Sequence, residues 1–260
     1  MKFDPKKHSI EKFLWVGDPH VKKGNLEESK RLIQWADKKA RDANVPIIFA
    51  GDQYNDFGIA RVEAVNFWVE MFGSMKSPII ALVGNHDANS DMSENFMDIH
   101  AKQVLVINKP TSIELSGRTI GLLPFYRKNE EFLSQLNAFP ISKGTVVMCH
   151  QEFNGCQYEN GFYAPGGFDP DDIPDHITKV ISGHIHKEQQ FSKVWYPGTA
   201  RHLTRSDIGE EKGIFLVDLE NNSHEKLLTP PEVSEPFIEV NVTPDWDGDV
   251  KSLSGSRTFT

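Results

Sequence analysis

Two histidines at i and i+2 close the run Val180-Ile181-Ser182-Gly183-His184-Ile185-His186, and the same pattern recurs elsewhere in the chain. Short apolar stretches also end in Gly17-Asp18-Pro19-His20, in Gly51-Asp52, in Gly84-Asn85-His86-Asp87 and in His150. Side chains two apart on an extended backbone point to one side, so Asp18 with His20, and His184 with His186, can each face a common centre. A glycine just before such a pair lets the chain turn tightly and approach that centre closely. Taken singly, each residue has a plain explanation, because Asp and Asn are common at turns and a lone His150 is commonly a satisfied core histidine. Together they form a set of oxygen and nitrogen donors without thiolate, which suits Mn²⁺, Fe²⁺ or Zn²⁺ rather than calcium or a structural zinc site. One ion cannot use so many ligands. Two ions about 3.5–4 Å apart that share a carboxylate can, and such a pair is the usual clamp for phosphoryl transfer.

These donors must stand at the ends of strands. Residues 12–17, 47–50 and 78–83 are continuous apolar runs that predict buried strands. Asn25 followed by Glu28 signals a helix start, and Leu26, Ile33, Ala36 and Ala40 keep the helical period. A second helix is predicted over 59–72, with Val62, Ala64 or Val65, Trp68, Val69 and Phe72 on one face. Strand and helix alternating in this way, with polar motifs at the carboxyl ends of the strands, give an α/β fold. Beyond Ala101, short strands at 104–107, 112–115 and 118–123 predict antiparallel pairing, followed by a helix at 130–136 and a buried strand at 145–149. Residues 151–176 are irregular and rich in Gly, Pro, Asp and aromatics, as befits a functional loop over the site. The runs 194–199 and 213–219 read as strands of a second sheet.

Composition narrows the function classes. With 260 residues, 38% hydrophobic and 25% charged, the chain is an ordinary globular one able to bury a full core in one large domain. Its formal net charge of −9 repels polyanions, so nucleic acid must be held by a local basic groove, by ions or by a partner. No apolar run approaches the ~20 residues of a membrane helix, and the start of the chain has no signal-peptide core. The expectation is a soluble cytoplasmic protein, in the host cytoplasm if the source is viral. Cys149 and Cys156 are too few for a disulfide framework or a cysteine zinc site and read as reduced thiols.

Taken in order, Asp18-Pro-His20, Gly51-Asp52, Gly84-Asn85-His86-Asp87, His150 and Gly183-His184-Ile-His186 resemble the motifs of calcineurin-like metallophosphoesterases. The resemblance spans residues 12–220. It implies a four-layer α-β-β-α sandwich of mixed sheets, a phosphoesterase activity and two divalent ions, Mn²⁺ first, with Fe²⁺, Zn²⁺ or Mg²⁺ as alternatives. It also implies that Asp18, His20, Asp52 and His186 hold one ion and that Asp52, Asn85, His150 and His184 hold the other, with Asp52 as the bridge. His86 is carried over as the catalytic imidazole acting on the leaving oxygen, and Asp87 as the group that orients it, a helix cap being the alternative for Asp87.

The substrate is less determined. Tyr196-Pro197-Gly198-Thr199 and the run 212–217 resemble the SbcD-type nuclease branch, and 235–240 resembles the entry to its capping domain. That likeness divides the chain into a metallophosphoesterase domain over 1–232 and an extension over 233–260, a short capping segment. An SbcD-type chain continues through a fuller capping domain and a helical ATPase-binding region, so the expectation is a compact version, such as a viral one, or a chain truncated at Thr260. DNA and an SbcC-type ATPase subunit are the implied partners, and the oligomeric state stays open, a dimer among the options. Lys22, Lys187, Arg201 and Arg205 are the candidate phosphate contacts, with Lys23, Arg127 and Lys128 near them; solvated surface charge is the alternative for each. Three functions remain: an SbcD-like DNA exo- or endonuclease, a small-nucleotide phosphodiesterase or phosphatase, and a catalytically silent binding scaffold. The complete donor set with His86 speaks against the scaffold.

Overall fold

In the computed structural model two sheets lie face to face, each carrying helix on its outer side. The structure describes all residues except 116, 141–143, 240–256 and 259–260. The first sheet has β1 (Lys12–Val16), β2 (Ile47–Phe49), β3 (Ile79–Leu82) and β4 (Leu105–Ile107) in parallel. It is completed by β11 (Gly213–Asp218), antiparallel to β1, and β12 (Ser223–Leu228). The second sheet runs in the order β5 (Thr111–Leu115), β6 (Arg118–Leu122), β7 (Thr145–His150), β8 (Ile177–Gly183), β10 (Val194–Tyr196), β9 (Gln189–Phe191). Its four inner strands are parallel and its two edge strands antiparallel. Helices α1 (Leu26–Ala43) and α2 (Val62–Ser74) cover the first sheet, and α3 (Asn129–Ala138) the second.

The continuous apolar runs follow from this layering, because each central strand is buried on both faces. Phe13, Trp15, Ile48, Ile80 and Leu82 meet Ile120, Leu122, Met148, Ile181 and Trp195 between the sheets. The alternate residues Leu14, Val16, Ile47, Phe49 and Ala81 face α1 and α2. On the far side Val147, Cys149, Val180 and Tyr196 pack with Phe132 and Leu136 of α3. The result is the expected α-β-β-α sandwich. No helix of the described residues is long and apolar enough to cross a membrane.

Three local expectations change. The short strands after Ala101 are not uniformly antiparallel: β4 adds to the first sheet in parallel and β6 pairs in parallel with β7, leaving only β5–β6 as a hairpin. The strand at 213–218 belongs to the first sheet rather than the second, since β1 offers its open edge to it. In α2 the buried face is Ala64, Phe67, Trp68, Met71 and Phe72, while Val62 and Val69 are exposed. The bulk of Trp68 against Phe49 and Phe72 decides that orientation. At the start of the expected extension, Val233 joins the core under α1, and Phe237 N donates to His202 Nδ1 at 3.0 Å. Phe237–Ile238 (β13) pairs with Arg257–Thr258 (β14), and the remainder of the expected capping segment lies outside the described residues.

Trp68 links this packing to the loop after β2, for its Nε1 donates to the Gln53 carbonyl at 3.1 Å. Trp68→Ala is expected to lower the free energy of unfolding by about 3–5 kcal/mol, the range for an aromatic removed from a core. Urea titration measures it, and Trp68→Phe should restore most of the loss, lacking only the indole hydrogen bond.

Candidate metal centre

Five strand ends meet where the two sheets open. Asp18 and His20 follow β1, Asp52 follows β2, Asn85 and His86 follow β3, His150 ends β7, and His184 and His186 follow β8. Asp18, His20, Asp52 and His184 all hold positive φ, with values of 32, 44, 52 and 79°. Non-glycine residues enter that region rarely, so the backbone is locally bent to aim these side chains inward. The glycines beside them are required by space. A Cβ on Gly84 would sit 2.1 Å from Asp52 Oδ1, and one on Gly51, at φ +111°, would sit 2.3 Å from His150 Nδ1.

Asp52 occupies the middle. Its Oδ1 accepts the His86 backbone N–H at 2.9 Å, and its Oδ2 lies 3.3 Å from His150 Nε2, 3.6 Å from His20 Nε2 and 4.0 Å from His86 Nε2. Two overlapping triads share it, His20–Asp52–His86 and Asp52–His150–His184, each with its donor atoms within 4.8 Å of one another. Asn85 Oδ1 stands 3.1 Å from His150 Nε2 and 2.9 Å from His184 Nδ1. His186 Nε2 faces His20 Nε2 at 3.2 Å. Asp18 Oδ1 is 3.3 Å from His150 Nδ1 and accepts His184 N–H at 3.3 Å. Its Oδ2 is buried with no hydrogen-bond partner. An orphaned carboxylate oxygen among imidazole nitrogens that face each other in pairs is a donor set that divalent cations satisfy, so the residues fit the metal that their chemistry implies.

The electrostatics point the same way. Burial holds His20 well below the ordinary imidazole range, so it is neutral and able to ligate. Burial works to lower His150 too, but the carboxylates of Asp52 and Asp18 outweigh it and raise its pKa to about 9. For Asp52 burial works upward, and His150, His20 and His86 outweigh it, holding the carboxyl below its usual range. A cation entering the centre must therefore displace protons held between acids and imidazoles.

Asp87 takes a different place from the one expected. Its Oδ2 accepts the Gly84 N–H at 2.9 Å and its Oδ1 the Tyr54 N–H at 3.0 Å, so it ties the loop after β3 to the loop after β2. Burial and the nearby Asp52 push its carboxyl well up. His86 Nδ1 instead meets the Asn55 carbonyl at 2.5 Å.

The basic candidates divide. Lys22 is exposed and lines a cleft of about 670 Å³ that also holds His20, Asp52, His86 and His184. Arg201 lines the same cleft, but its guanidinium is buried, paired with Glu28 at 2.6 Å and donating to the Pro19 carbonyl at 2.7 Å, so it buttresses the Asp18–His20 turn instead of offering itself to a phosphate backbone. Lys187 donates to Gln157 at 2.7 Å, Lys23 pairs with Glu63, Lys128 with Glu131, and Arg205 sits exposed on a short 3₁₀ turn.

Sequence reasoning missed two acids of the long loop. Glu159 Oε1 lies 3.0 Å from His186 Nδ1, and Glu152 Oε2 lies 3.7 Å from His184 Nε2 while accepting the Tyr158 hydroxyl at 2.5 Å. Glu159 is held down to about 2: burial works upward, but the hydrogen bond and charge of His186 outweigh it. The length of 151–176 announced a loop over the site, yet no spacing marked which of its carboxylates reach the histidines. Cys149 and Cys156 are buried free thiols, pushed up by burial to about 12 and about 11.

The same residues fall within a known sequence family. The sequence profile of the calcineurin-like phosphoesterases matches residues 11–188. A protein of Invertebrate iridescent virus 6, described as a phosphoesterase (244L), is 27% identical over 238 residues, 86% of this chain and 78% of its own. A component of the nuclease SbcCD from Staphylococcus epidermidis is 24% identical over 269 aligned positions, 89% of this chain and 70% of its own. Among solved structures, an archaeal phosphodiesterase aligns with 84% of this chain and 99% of its own at a TM-score of 0.43 and 13% identity.

The nitrogen of a ligating histidine that does not touch metal usually donates to a fixed acceptor, and losing that acceptor costs roughly 10–100-fold in metal affinity. Glu159→Gln is expected to weaken divalent-ion binding by that factor in calorimetric titration of the ion-free protein. An unchanged affinity would reduce Glu159 to a loop anchor.

Proposed function

The chain belongs to the calcineurin-like phosphoesterases, and from that premise we propose a two-metal phosphodiesterase that cleaves DNA in the manner of an SbcD-type nuclease. The observation that carries the two-metal reading is the pair of donor triads sharing Asp52. Asp18, His20, Asp52 and His186 would hold one ion and Asp52, Asn85, His150 and His184 the other, with Mn²⁺ as the preferred metal. When bound, such ions supply Lewis-acid polarisation of the phosphate and a water of lowered pKa. In the hydrolysis water adds to phosphorus, the P–O bond to the leaving group breaks, and the leaving oxygen takes up a proton. His86 is the group placed to deliver it. The Asn55 carbonyl accepts from Nδ1 and fixes the ring, which leaves Nε2 for the proton in transfer. Asp87 supports that arrangement from beneath by holding the loop that carries His86.

The nuclease part of the reading draws on the likeness to the staphylococcal SbcCD component, which covers most of this chain. Since that relative is by name one part of SbcCD, an SbcC-type ATPase partner belongs to the same proposal. A second reading, hydrolysis of small nucleotide phosphodiesters, is favoured by the cleft itself: Arg201 is committed internally, and Glu152 and Glu159 line the opening.

His86→Gln is expected to lower turnover by roughly 10²–10⁴-fold with both ions still bound. Loss of an ion in that variant would make His86 a ligand, as its place beside His20 and Asp52 allows. Substrate class is read from salt. Raising it from about 50 to 200 mM should cut Mn²⁺-dependent cleavage of linear DNA strongly and leave hydrolysis of bis(p-nitrophenyl) phosphate within a few-fold. Hydrolysis of the small ester without DNA cleavage at any salt overturns the nuclease and leaves the small-nucleotide enzyme.

A further inference from the structure

Beside the metal centre lies a second cavity, of about 450 Å³, whose walls include Val83, Met92, Phe125, Tyr126 and Arg127. The Phe125 ring lines it and also packs beside two candidate ligands, with its centroid 5.7 Å from that of His184 and 6.3 Å from that of His150. The Phe125 backbone N–H donates to Val83 O at 2.9 Å, which fixes this wall to the end of β3. Arg127 connects the cavity with the catalytic candidate by another route. Its guanidinium carbon lies 5.6 Å from the centre of the Phe57 ring, and that ring stands edge-on to His86 at 6.0 Å. Phe57 is 43% exposed, although the same loop buries Tyr54 almost completely.

An exposed aromatic ring paired with a planar guanidinium is a surface on which nucleobases stack, and stacking accepts any base because every base has a π-face. The cavity behind it is within the usual range for small-ligand sites, about 300–1,000 Å³. Its lining brings the Phe125 and Tyr126 rings together with the Arg127 guanidinium, while of its two lysines, Lys109 and Lys128, the second is paired with Glu131 at 2.8 Å, and rings beside a planar guanidinium suit a flat heterocycle. Position then says which base. His86 serves the leaving oxygen, so the side of the phosphodiester nearest His86 is the side on which the leaving nucleoside emerges.

We propose that Phe57, Arg127 and the cavity walled by Phe125 and Tyr126 form a subsite for the nucleobase of the leaving nucleoside. The proposal rests on the phosphodiesterase reading above and names the specificity of the same site. Arg127 is the hinge of the subsite because it touches both the shelf and the cavity. Its planarity matters more than its charge, and lysine cannot replace it.

The test uses Mn²⁺-loaded protein, bis(p-nitrophenyl) phosphate as a reference ester and three dinucleotide substrates: a dinucleoside monophosphate with both bases, and two analogues that each lack one base through a tetrahydrofuran residue. Chromatography identifies the leaving nucleoside as the product without phosphate. For the wild type, kcat/KM is expected to fall roughly 5- to 150-fold when the leaving nucleoside lacks its base, the span that base–aromatic stacking shows on alanine substitution, and to change little when the other base is absent. Arg127→Ala, Arg127→Lys and Phe57→Ala should each erase that preference, while Phe57→Tyr keeps it. Circular dichroism and ion titration check that each variant is folded and loaded. A wild type indifferent to either base overturns the subsite, as do variants that slow all three substrates equally, since Phe57 and Arg127 would then merely support His86. Turnover of bis(p-nitrophenyl) phosphate but of none of the dinucleotides also overturns it while leaving the phosphoesterase intact. Inactivity on every substrate removes the phosphodiesterase reading itself.

Discussion

A carboxylate buried at the end of a parallel strand must find opposite charge, and Asp52 is the group on which this structure turns. Left without partners in the interior it would be prohibitive. Its needs are met by elements from both sheets: a backbone N–H from the loop after β3, and imidazoles from the ends of β1 and β7. The layer between the sheets, built on Trp15, Ile48, Ile80, Met148 and Ile181, therefore does more than exclude water. It sets the separation between Asp52 on one sheet and His150 on the other. Gly51 and Gly84 complete the fit by leaving no Cβ where His150 and Asp52 come together.

Around that centre the imidazoles are held from behind, and the holders come from different parts of the chain. The Ala50 carbonyl takes His150 Nδ1 at 2.8 Å and the Asn55 carbonyl takes His86 Nδ1, so the β2 end serves two histidines at once. The long loop serves the other pair through Glu159 and Glu152. The first turn has its own brace: Asn25 Nδ2 donates to the His20 carbonyl and Arg201 to that of Pro19, with Glu28 neutralising Arg201 from α1. Asn25 thus spends its side chain on the site and not on capping the helix that it precedes.

The strand-end pattern was legible because parallel strands buried on both faces read as unbroken apolar runs, and polar residues directly after them stand out. The order of strands within a sheet was not, since a hydrophobic run says that a segment is a strand and not which edge it meets. In β11, Phe215 and Val217 face the layer between the sheets while Ile214 turns to the helices, an alternation that either sheet would accept. The face of α2 was missed by small steps, because Val62 and Val69 are as apolar as their buried neighbours and only the packing of Trp68 excludes them. Arg201 shows a harder limit. A basic residue close to a site in sequence looks the same whether it meets a phosphate or a buried glutamate, and Glu28 is remote along the chain.

The acids of the site also constrain how any substrate approaches. Asp52, Glu152 and Glu159 line the cleft, with Asp18 buried close behind, in a chain that already carries a net charge of −9. Without cations that field repels a phosphodiester, and the exposed Lys22 on the cleft wall is a small counterweight to it. Bound divalent ions reverse the local sign, since in such a site they are the largest charges present. The same ions that would promote hydrolysis therefore also make the approach of the phosphate favourable. Residues that recognise the rest of the substrate then need little charge of their own. A flat surface such as Phe57 with Arg127 can add selectivity beside the centre without competing with the acids for the metal, since stacking on a ring and a guanidinium leaves the charge of the phosphodiester to the ions.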